Sequence, residues 1–178
     1  MCREAFESCM RESGGSICTI AANVRSGFPT MAHTGAARAG VINLTKTLAV
    51  EWAPFNVRVN VVSPGIVFTD SATRHYAKAT GDTKYMEGYR HTIPARRLGT
   101  AEEVAAAVVF LLSPGAQYIS GVNLAVDGAQ SLTQSTPSGF QEHAGWPEYE
   151  GGLDVVSSVP PPPPLDQSAA NAKKKSAL

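Results

Sequence analysis

Side chains that could supply charge or a proton to a reaction are concentrated in two stretches of the chain. The first stretch holds His33, Arg38 and Lys46, and the second, 75–97, is rich in tyrosine, histidine and arginine. Arg38, Ile42 and Lys46 are spaced four residues apart, which places them on one stripe if this stretch is helical. His33 could act as a proton donor, whereas an arginine supplies charge and keeps its proton in proteins.

The three cysteines indicate neither a metal site nor a disulfide framework. Cys2, Cys9 and Cys18 are odd in number, lie close together and lack zinc-ligand spacing. This pattern is typical of a reducing compartment.

Three stretches have the periodicity of helices, and their ends carry the expected signals. Residues 1–12 have helical apolar spacing up to Gly14-Gly15, and a longer pattern over 34–52 predicts a helix with Val41, Leu44, Leu48 and Trp52 on one side. A third helix is predicted over 101–112, where Thr100 and Glu103 form a capping box and Pro114 marks the end.

Three short runs rich in β-branched residues alternate with these helices. They are 16–20, 57–62 and 121–126, and the last two run into Ser63-Pro64-Gly65 and Asp127-Gly128. Strands that alternate with helices of a dozen residues predict an α/β fold with a parallel sheet covered on both faces.

Composition predicts one globular domain over 1–130 and a tail over 131–178. Fifteen basic residues balance fifteen acidic ones, so the chain has no large positive field to attract nucleic acid or an anionic membrane. The most apolar stretch, 104–112, is much shorter than the roughly 18 residues of a membrane span. Five prolines at 160–164 and the polar residues that follow predict an extended, largely disordered tail.

Four segments in order resemble the second half of a short-chain dehydrogenase/reductase. They are GGSICTI, HTGAARAGVINLTKTLAVEWAPFNVRVNVVSPGIVFT, RRLGTAEEVAAAVVFLLSP and ISGVNLAVDGA. The stretch from Gly27 to Lys46, together with Trp146-Pro147, is similar to the peroxisomal trans-2-enoyl-CoA reductases. The resemblance implies the carboxyl-terminal half of a Rossmann-like doubly wound sheet. It also implies NADPH-dependent reduction of a trans-2-enoyl-CoA, with 2,4-dienoyl-CoA and 3-oxoacyl reduction as alternatives.

The family resemblance assigns cofactor contacts to the loop after the second strand. In relatives this loop meets the nicotinamide amide through backbone at the Val67 position and the phosphates near Thr69, so Pro64, Gly65, Val67 and Thr69 are the predicted cofactor-binding residues. The alternative is an ordinary strand-to-loop turn. The glycine-rich turn that holds the pyrophosphate belongs near the start of such folds and does not occur in this sequence.

The family's catalytic Tyr-x-x-x-Lys pair is incomplete in this chain. One register pairs Lys46 with Ile42, and a second places Arg38 in the position of the lysine and Thr34 in that of the tyrosine. Neither register yields a tyrosine, so Lys46 and Arg38 are the predicted catalytic cations without their usual phenol partner. Because the phenol and the glycine-rich turn are both missing, the sequence predicts that reduction by this chain is impaired. A lysine exposed to solvent on a helix is the alternative for Lys46.

Relatives cover the acyl substrate with the region that precedes Pro94. There the chain has Tyr76, Tyr85 and Tyr89 beside His75, which the resemblance predicts to be a substrate lid, while plain packing is the alternative. Arg96 and Arg97 follow, as candidate contacts for coenzyme A phosphates or as surface residues.

The chain ends in Ser176-Ala177-Leu178, which resembles the peroxisomal S-K-L address except for an alanine in place of the basic residue. This ending predicts recognition by the import receptor and a peroxisomal location, with a cytoplasmic protein as the alternative. The helical pattern that already includes Met1 predicts that upstream sequence is missing. The resemblance also predicts oligomers, either of this chain alone or with a full-length reductase, and in the second case this chain could be a non-catalytic subunit.

Overall fold

A parallel sheet is the centre of the molecule. The computed structural model describes residues 1–25, 27–28, 31–82, 84–135 and 145–147. Its strands are β1 (Gly15–Ile20), β2 (Val57–Pro64) and β3 (Asn123–Val126), in the order β1-β2-β3. Gly15 pairs with Val57 at one end of the β1–β2 ladder, and Pro64 pairs with Val126 at the end of β2–β3. The predicted α/β class with a parallel sheet is confirmed.

The helices connect the strands and lie on both faces of the sheet. The first helix, α1, is continuous through Cys2–Ala5, a π-helical turn Phe6–Met10 and Arg11–Ser13; it is followed by α2 (Ala32–Glu51), α3 (Asp70–Thr80) and α4 (Ala101–Leu112). Short 3-10 helices occupy Ala53–Phe55, Tyr85–Thr92, Pro114–Ala116 and Gln130–Ser135. None of the helices described is long and apolar enough to span a membrane.

An aromatic cluster joins α1 to the end of α2 on one face of the sheet. The Phe6 ring stacks on Trp52 at 4.3 Å between centroids and meets Phe55 edge-on at 5.1 Å. The Arg11 guanidinium lies 5.5 Å from both phenylalanine rings. These rings pack with Val57 and Val59 of β2, so the amino-terminal helix shares the core of the sheet.

The predicted apolar side of α2 is wrong in one respect, because small residues form its contact with the sheet. Thr45 and Ala49 are buried, whereas Leu44 is 49% exposed. A Cβ added at Gly121 would lie only 3.4 Å from the Ala49 Cβ. The helix therefore approaches the sheet too closely for a leucine at those positions.

Buried polar side chains fasten α4 and β3 to the central strand. Asn60 has no exposed surface, and its amide donates to the Ile119 carbonyl at 2.9 Å and accepts from the Val122 amide at 3.1 Å. Arg58 donates to the carbonyls of Leu111 at 2.7 Å and Ser113 at 3.2 Å, where α4 ends. A cation there satisfies carbonyls that have no partner within the helix.

Candidate active site

The carboxyl ends of the three parallel strands meet at one edge, and the loop after β2 lies at its centre. Gly65, the first residue of this loop, donates its amide to the Val126 carbonyl at 2.9 Å. A Cβ at Gly65 would lie 2.8 Å from the Asp127 Cα, closer than side chains tolerate. Only glycine therefore lets the loops after β2 and β3 approach this closely.

The next residues of the loop are held by hydrogen bonds to a distant segment. Phe68 donates to the Gly99 carbonyl at 2.8 Å, and Gly99 donates back to Ile66 at 2.9 Å, which makes a parallel bridge at Val67. Thr69 then caps α3, where its hydroxyl accepts from the Ala72 amide at 3.1 Å. The backbone of 66–69 is thus fixed on both sides.

Two clefts open at Pro64-Gly65, and both residues line each of them. The Tyr89 cleft, of about 440 Å³, is lined by Ala22, Asn23, Gly27, Phe28, Pro64, Gly65, Ile66, Tyr89, Thr92, Gln130 and Thr133. The Thr69 cleft, of about 470 Å³, is lined by Phe28, Pro64, Gly65, Ile66, Val67, Thr69, Ala72, Met86, Ala101 and Val104. All four predicted cofactor residues line the Thr69 cleft, and two of them also line the Tyr89 cleft. Phe28 and Ile66 also line both clefts, so the two clefts adjoin along these four residues.

The Tyr89 cleft is nearly free of charge. Among the described residues that line it, Tyr89 carries the only ionisable side chain. Hydrogen-bonding groups come from Asn23, Thr92 and Gln130, and the Gln130 amide donates to the Thr92 hydroxyl at 3.4 Å. The cleft can accept an uncharged apolar chain and offer hydrogen bonds to a carbonyl group in it.

Helix α2 separates the two candidate cations. The Thr45 hydroxyl lies 3.2 Å from that of Thr19, which marks the side of α2 that faces β1. Arg38 lies about two turns earlier on that same side and is partly buried, whereas Lys46 is turned about 100° from Thr45 and is exposed. Arg38 thus lies nearer than Lys46 to the side of α2 that faces the sheet, and the choice between the two registers stays a prediction.

The start of α2 reaches the clefts through Phe28. A Cβ at Gly35 would lie 2.6 Å from the Phe28 Cβ, so this glycine lets the helix touch the loop after β1. Thr34, Arg38, Ile42 and Lys46 are absent from the described lining of both clefts. His33 is exposed at the beginning of the helix.

The predicted tyrosine lid is described only in part. The backbone of 85–92 forms a 3-10 helix that carries Tyr89 over its cleft. The side chains of His75, Tyr76 and Tyr85 lie outside what the structure describes, as do residues 148–178 with the polyproline segment and the terminal tripeptide.

Arg97 is not placed to meet a coenzyme A phosphate. Its guanidinium donates to the Glu103 carboxylate at 2.8 Å and to the carbonyls of Trp146 and Pro147 at 3.0 Å each. The alternative that Arg97 is an ordinary surface residue is also wrong, because its side chain is only 15% exposed.

Sequence comparison identifies the source of this geometry. The profile of a family described as enoyl-(acyl carrier protein) reductase matches residues 1–129. The chain belongs to the short-chain dehydrogenase/reductase family. The family prediction from the four segments is confirmed.

Individual short-chain dehydrogenases/reductases align with the same part of the chain. The peroxisomal 2,4-dienoyl-CoA reductase of Rattus norvegicus is 40% identical over 134 residues, which are 74% of this chain and 44% of the relative. The chain thus spans less than half the length of this curated relative.

Solved structures show the same partial overlap. The citronellol catabolism dehydrogenase AtuB of Pseudomonas aeruginosa PAO1 is 44% identical with a TM-score of 0.60, over 73% of this chain and 48% of that one. The structure of ElxO with NADP bound is 29% identical with a TM-score of 0.64, over 72% of this chain and 51% of that one.

Proposed function

We propose that this chain supplies part of the active site of a reductase that transfers hydride from NADPH to a carbon–carbon double bond of an unsaturated acyl-CoA. The observation that carries the proposal is that Pro64 and Gly65 line both the Thr69 cleft and the Tyr89 cleft, so the two clefts adjoin. A hydride donor in one cleft and an acceptor in the other would meet where the clefts join, beside the Gly65 backbone. The similarity to a protein named as a 2,4-dienoyl-CoA reductase supports the acyl-CoA class.

The Thr69 cleft fits the nicotinamide end of the cofactor. Gly65 in its lining has no side chain, so a flat ring could approach the backbone closely there. Backbone at Val67 would bind the carboxamide, and Thr69 at the start of α3 would lie toward the phosphates. When bound, NADPH supplies the hydride.

The Tyr89 cleft fits the acyl thioester. Hydride added at the β carbon leaves negative charge on the α carbon and the thioester oxygen, which needs hydrogen-bond donors and then a proton. The side-chain amides of Gln130 and Asn23 belong to the described lining and would be these donors. Tyr89 would give the proton to the α carbon and regain one from water, because its phenol is the only described ionisable group there.

Arg38 is the proposed cation in place of the family's lysine, acting from outside the described lining of the two clefts. It lies on the side of α2 that faces the sheet, toward the edge where the strands end. A fixed positive charge there would stabilise the negative charge of the reduced thioester without taking part in proton transfer.

The test is NADPH consumption by the purified 178-residue chain with 2,4-dienoyl-, trans-2-enoyl- and 3-oxoacyl-CoA as separate substrates. Consumption with either unsaturated thioester, and less with the 3-oxoacyl compound, is expected. Calorimetric titration with NADPH is run alongside. A chain that neither binds NADPH nor consumes it above the blank contradicts the proposal.

A second candidate function is that of a subunit in an oligomer with another copy or a full-length reductase. Val109 and Phe110 of α4 are 65% and 46% exposed, and Tyr118 is fully exposed. Large apolar side chains that are exposed together are typical of an interface.

The substitution Phe110→Glu tests the subunit role, with Gln117→Glu as a matched control at an exposed polar position. A dimer or larger species in size-exclusion chromatography with light scattering should dissociate with Phe110→Glu and persist with the control. A wild-type chain that is monomeric alone and in the presence of a full-length reductase would contradict the role.

We also propose that the protein is peroxisomal and bound by the import receptor through its terminal tripeptide. The support is the name of the rat relative and the sequence Ser176-Ala177-Leu178. A fluorescent protein fused in front of the chain should colocalise with a peroxisomal marker and become diffuse when the three residues are deleted. Unchanged punctate fluorescence after the deletion would contradict this signal.

A further inference from the structure

Residues 145–147 run beside the segment 95–97 and bond to its backbone. Trp146 donates its amide to the Ala95 carbonyl at 3.0 Å, and Ala95 in turn donates to Gly128 at 3.2 Å. A Cβ at Gly145 would lie 3.2 Å from the Ala95 carbonyl oxygen and 3.4 Å from that of Arg96. The glycine therefore permits the close approach of the two backbones.

Arg97 fastens residues 145–147 from the other side. Its Nε donates to the Trp146 carbonyl and its Nη2 to the Pro147 carbonyl, both at 3.0 Å. The same guanidinium forms a two-pronged pair with the Glu103 carboxylate, and the side chains are only 15% and 19% exposed. Such forked, partly buried pairs are geometrically specific, and lysine cannot reproduce them.

The contacts of Arg97 and Glu103 connect to the 66–68 loop, which is proposed to bind the nicotinamide. Glu103 Oε2 accepts from the Thr100 amide at 2.9 Å, which fixes the residue after Gly99. Gly99 then exchanges hydrogen bonds with Ile66 and Phe68. Ile66 and Trp146 line the same cavity of about 300 Å³, which also contains Arg97 and Glu103. A continuous set of contacts thus runs from 145–147 to 66–68.

We infer that Arg97 is a positioning residue: it uses the docked Gly145–Pro147 segment to hold the 66–68 loop in the conformation that binds the nicotinamide. The inference rests on the proposed function of that loop. It assigns to Trp146-Pro147 a role in cofactor affinity, although these residues are about 80 positions away in the sequence. Loss of either contact partner should leave the sheet intact and loosen the loop.

The experiment compares Arg97→Gln, Arg97→Lys and Gly145→Val in the 178-residue chain, with Arg90→Gln as a control at an exposed arginine. Hydrogen exchange at the Phe68 and Gly99 amides reports on the loop, and exchange at the Val61 amide reports on the sheet. Arg97→Gln and Gly145→Val should each speed exchange at Phe68 and Gly99, weaken NADPH binding about tenfold and leave Val61 protected. Arg97→Lys should restore only part of the affinity.

The double variant Arg97→Gln/Gly145→Val should lose little more than either single variant, because both break one contact. Unchanged exchange at Phe68 and Gly99 in Gly145→Val and in a folded Arg97→Gln would overturn the inference. If the wild-type chain does not bind NADPH, the proposed function fails. The exchange measurements still decide whether Arg97 couples the two segments.

Discussion

Replacing Gly65 by alanine should displace the backbone that lines both clefts. The added Cβ would lie 2.8 Å from both Cα and Cβ of Asp127 and 3.2 Å from the Gln130 Oε1. Ordinary contact at 3.4 Å or more requires one of the two backbones to move by about 0.6 Å. This movement stretches the 2.9 Å hydrogen bond from Gly65 to Val126. Overpacking costs about 1–3 kcal/mol and the hydrogen bond about 1 kcal/mol, so the free energy of unfolding should fall by about 2–4 kcal/mol.

Gly40→Ala is the matched control. Gly40 is exposed within α2, and a Cβ there would meet nothing within 4 Å. Alanine at a helical position of this kind should stabilise by roughly 0.5–1 kcal/mol.

Urea unfolding gives the stability of both variants, and calorimetry gives their affinity for NADPH. Gly65→Ala should bind NADPH at least about tenfold more weakly under conditions in which it is folded, because the shifted backbone enters the Thr69 cleft. Equal stability and equal NADPH affinity for Gly65→Ala and Gly40→Ala would refute the reasoning about Gly65.

Three other substitutions test the site and the core. Tyr89→Phe should lower kcat about 100-fold with little change in acyl-CoA affinity, whereas Tyr118→Phe at a fully exposed ring should have no effect; equal rates would exclude Tyr89 as the acid. Asn60→Leu leaves the Ile119 carbonyl and the Val122 amide without the side-chain partner they have now. It should lower the free energy of unfolding in urea by about 2–5 kcal/mol. The control Asn43→Leu, at an exposed position, should lower it by about 0.5 kcal/mol or less. Burial raises the pKa of the Cys18 thiol above its ordinary value of 9.0, against a smaller lowering by its backbone hydrogen bond to Val62. The unfolded thiol therefore ionises first, and stability should fall as the pH rises above 9.0. Cys18→Ala should reduce this alkaline loss, and an unchanged slope of stability against pH would contradict it.

The sequence predicted the elements that have strong local signals. The capping box at Thr100 and Glu103 and the run of β-branched residues at 57–62 placed α4 and β2 to within a few residues. The predicted positions of Pro64, Gly65, Val67 and Thr69 came from family resemblance. Their common cleft could not be predicted, because Phe28, Met86 and Ala101 from distant segments complete it.

Other features could not be predicted, since their causes lie outside the local pattern. Helix α3 was not predicted because its residues are mostly polar or small, although Thr69 is a recognisable cap. Arg97 was predicted to meet phosphate or solvent, because its partners Trp146 and Pro147 are backbone carbonyls that carry no sequence signal. The side of α2 that faces Thr19, near which Arg38 lies, could not be read from the sequence either.

Helix α4 is anchored at both ends to different parts of the molecule. At its first turn, the Glu103 carboxylate accepts from Arg97. At its last turn, the Leu111 carbonyl accepts from Ser16 of β1 and Arg58 of β2. A helix clamped in this way moves as a rigid rod. A partner that displaced α4 through the exposed Val109 and Phe110 would therefore also displace Gly99, which precedes the helix, and the 66–68 loop bonded to it. Binding of a partner to that surface would then change the shape of the Thr69 cleft.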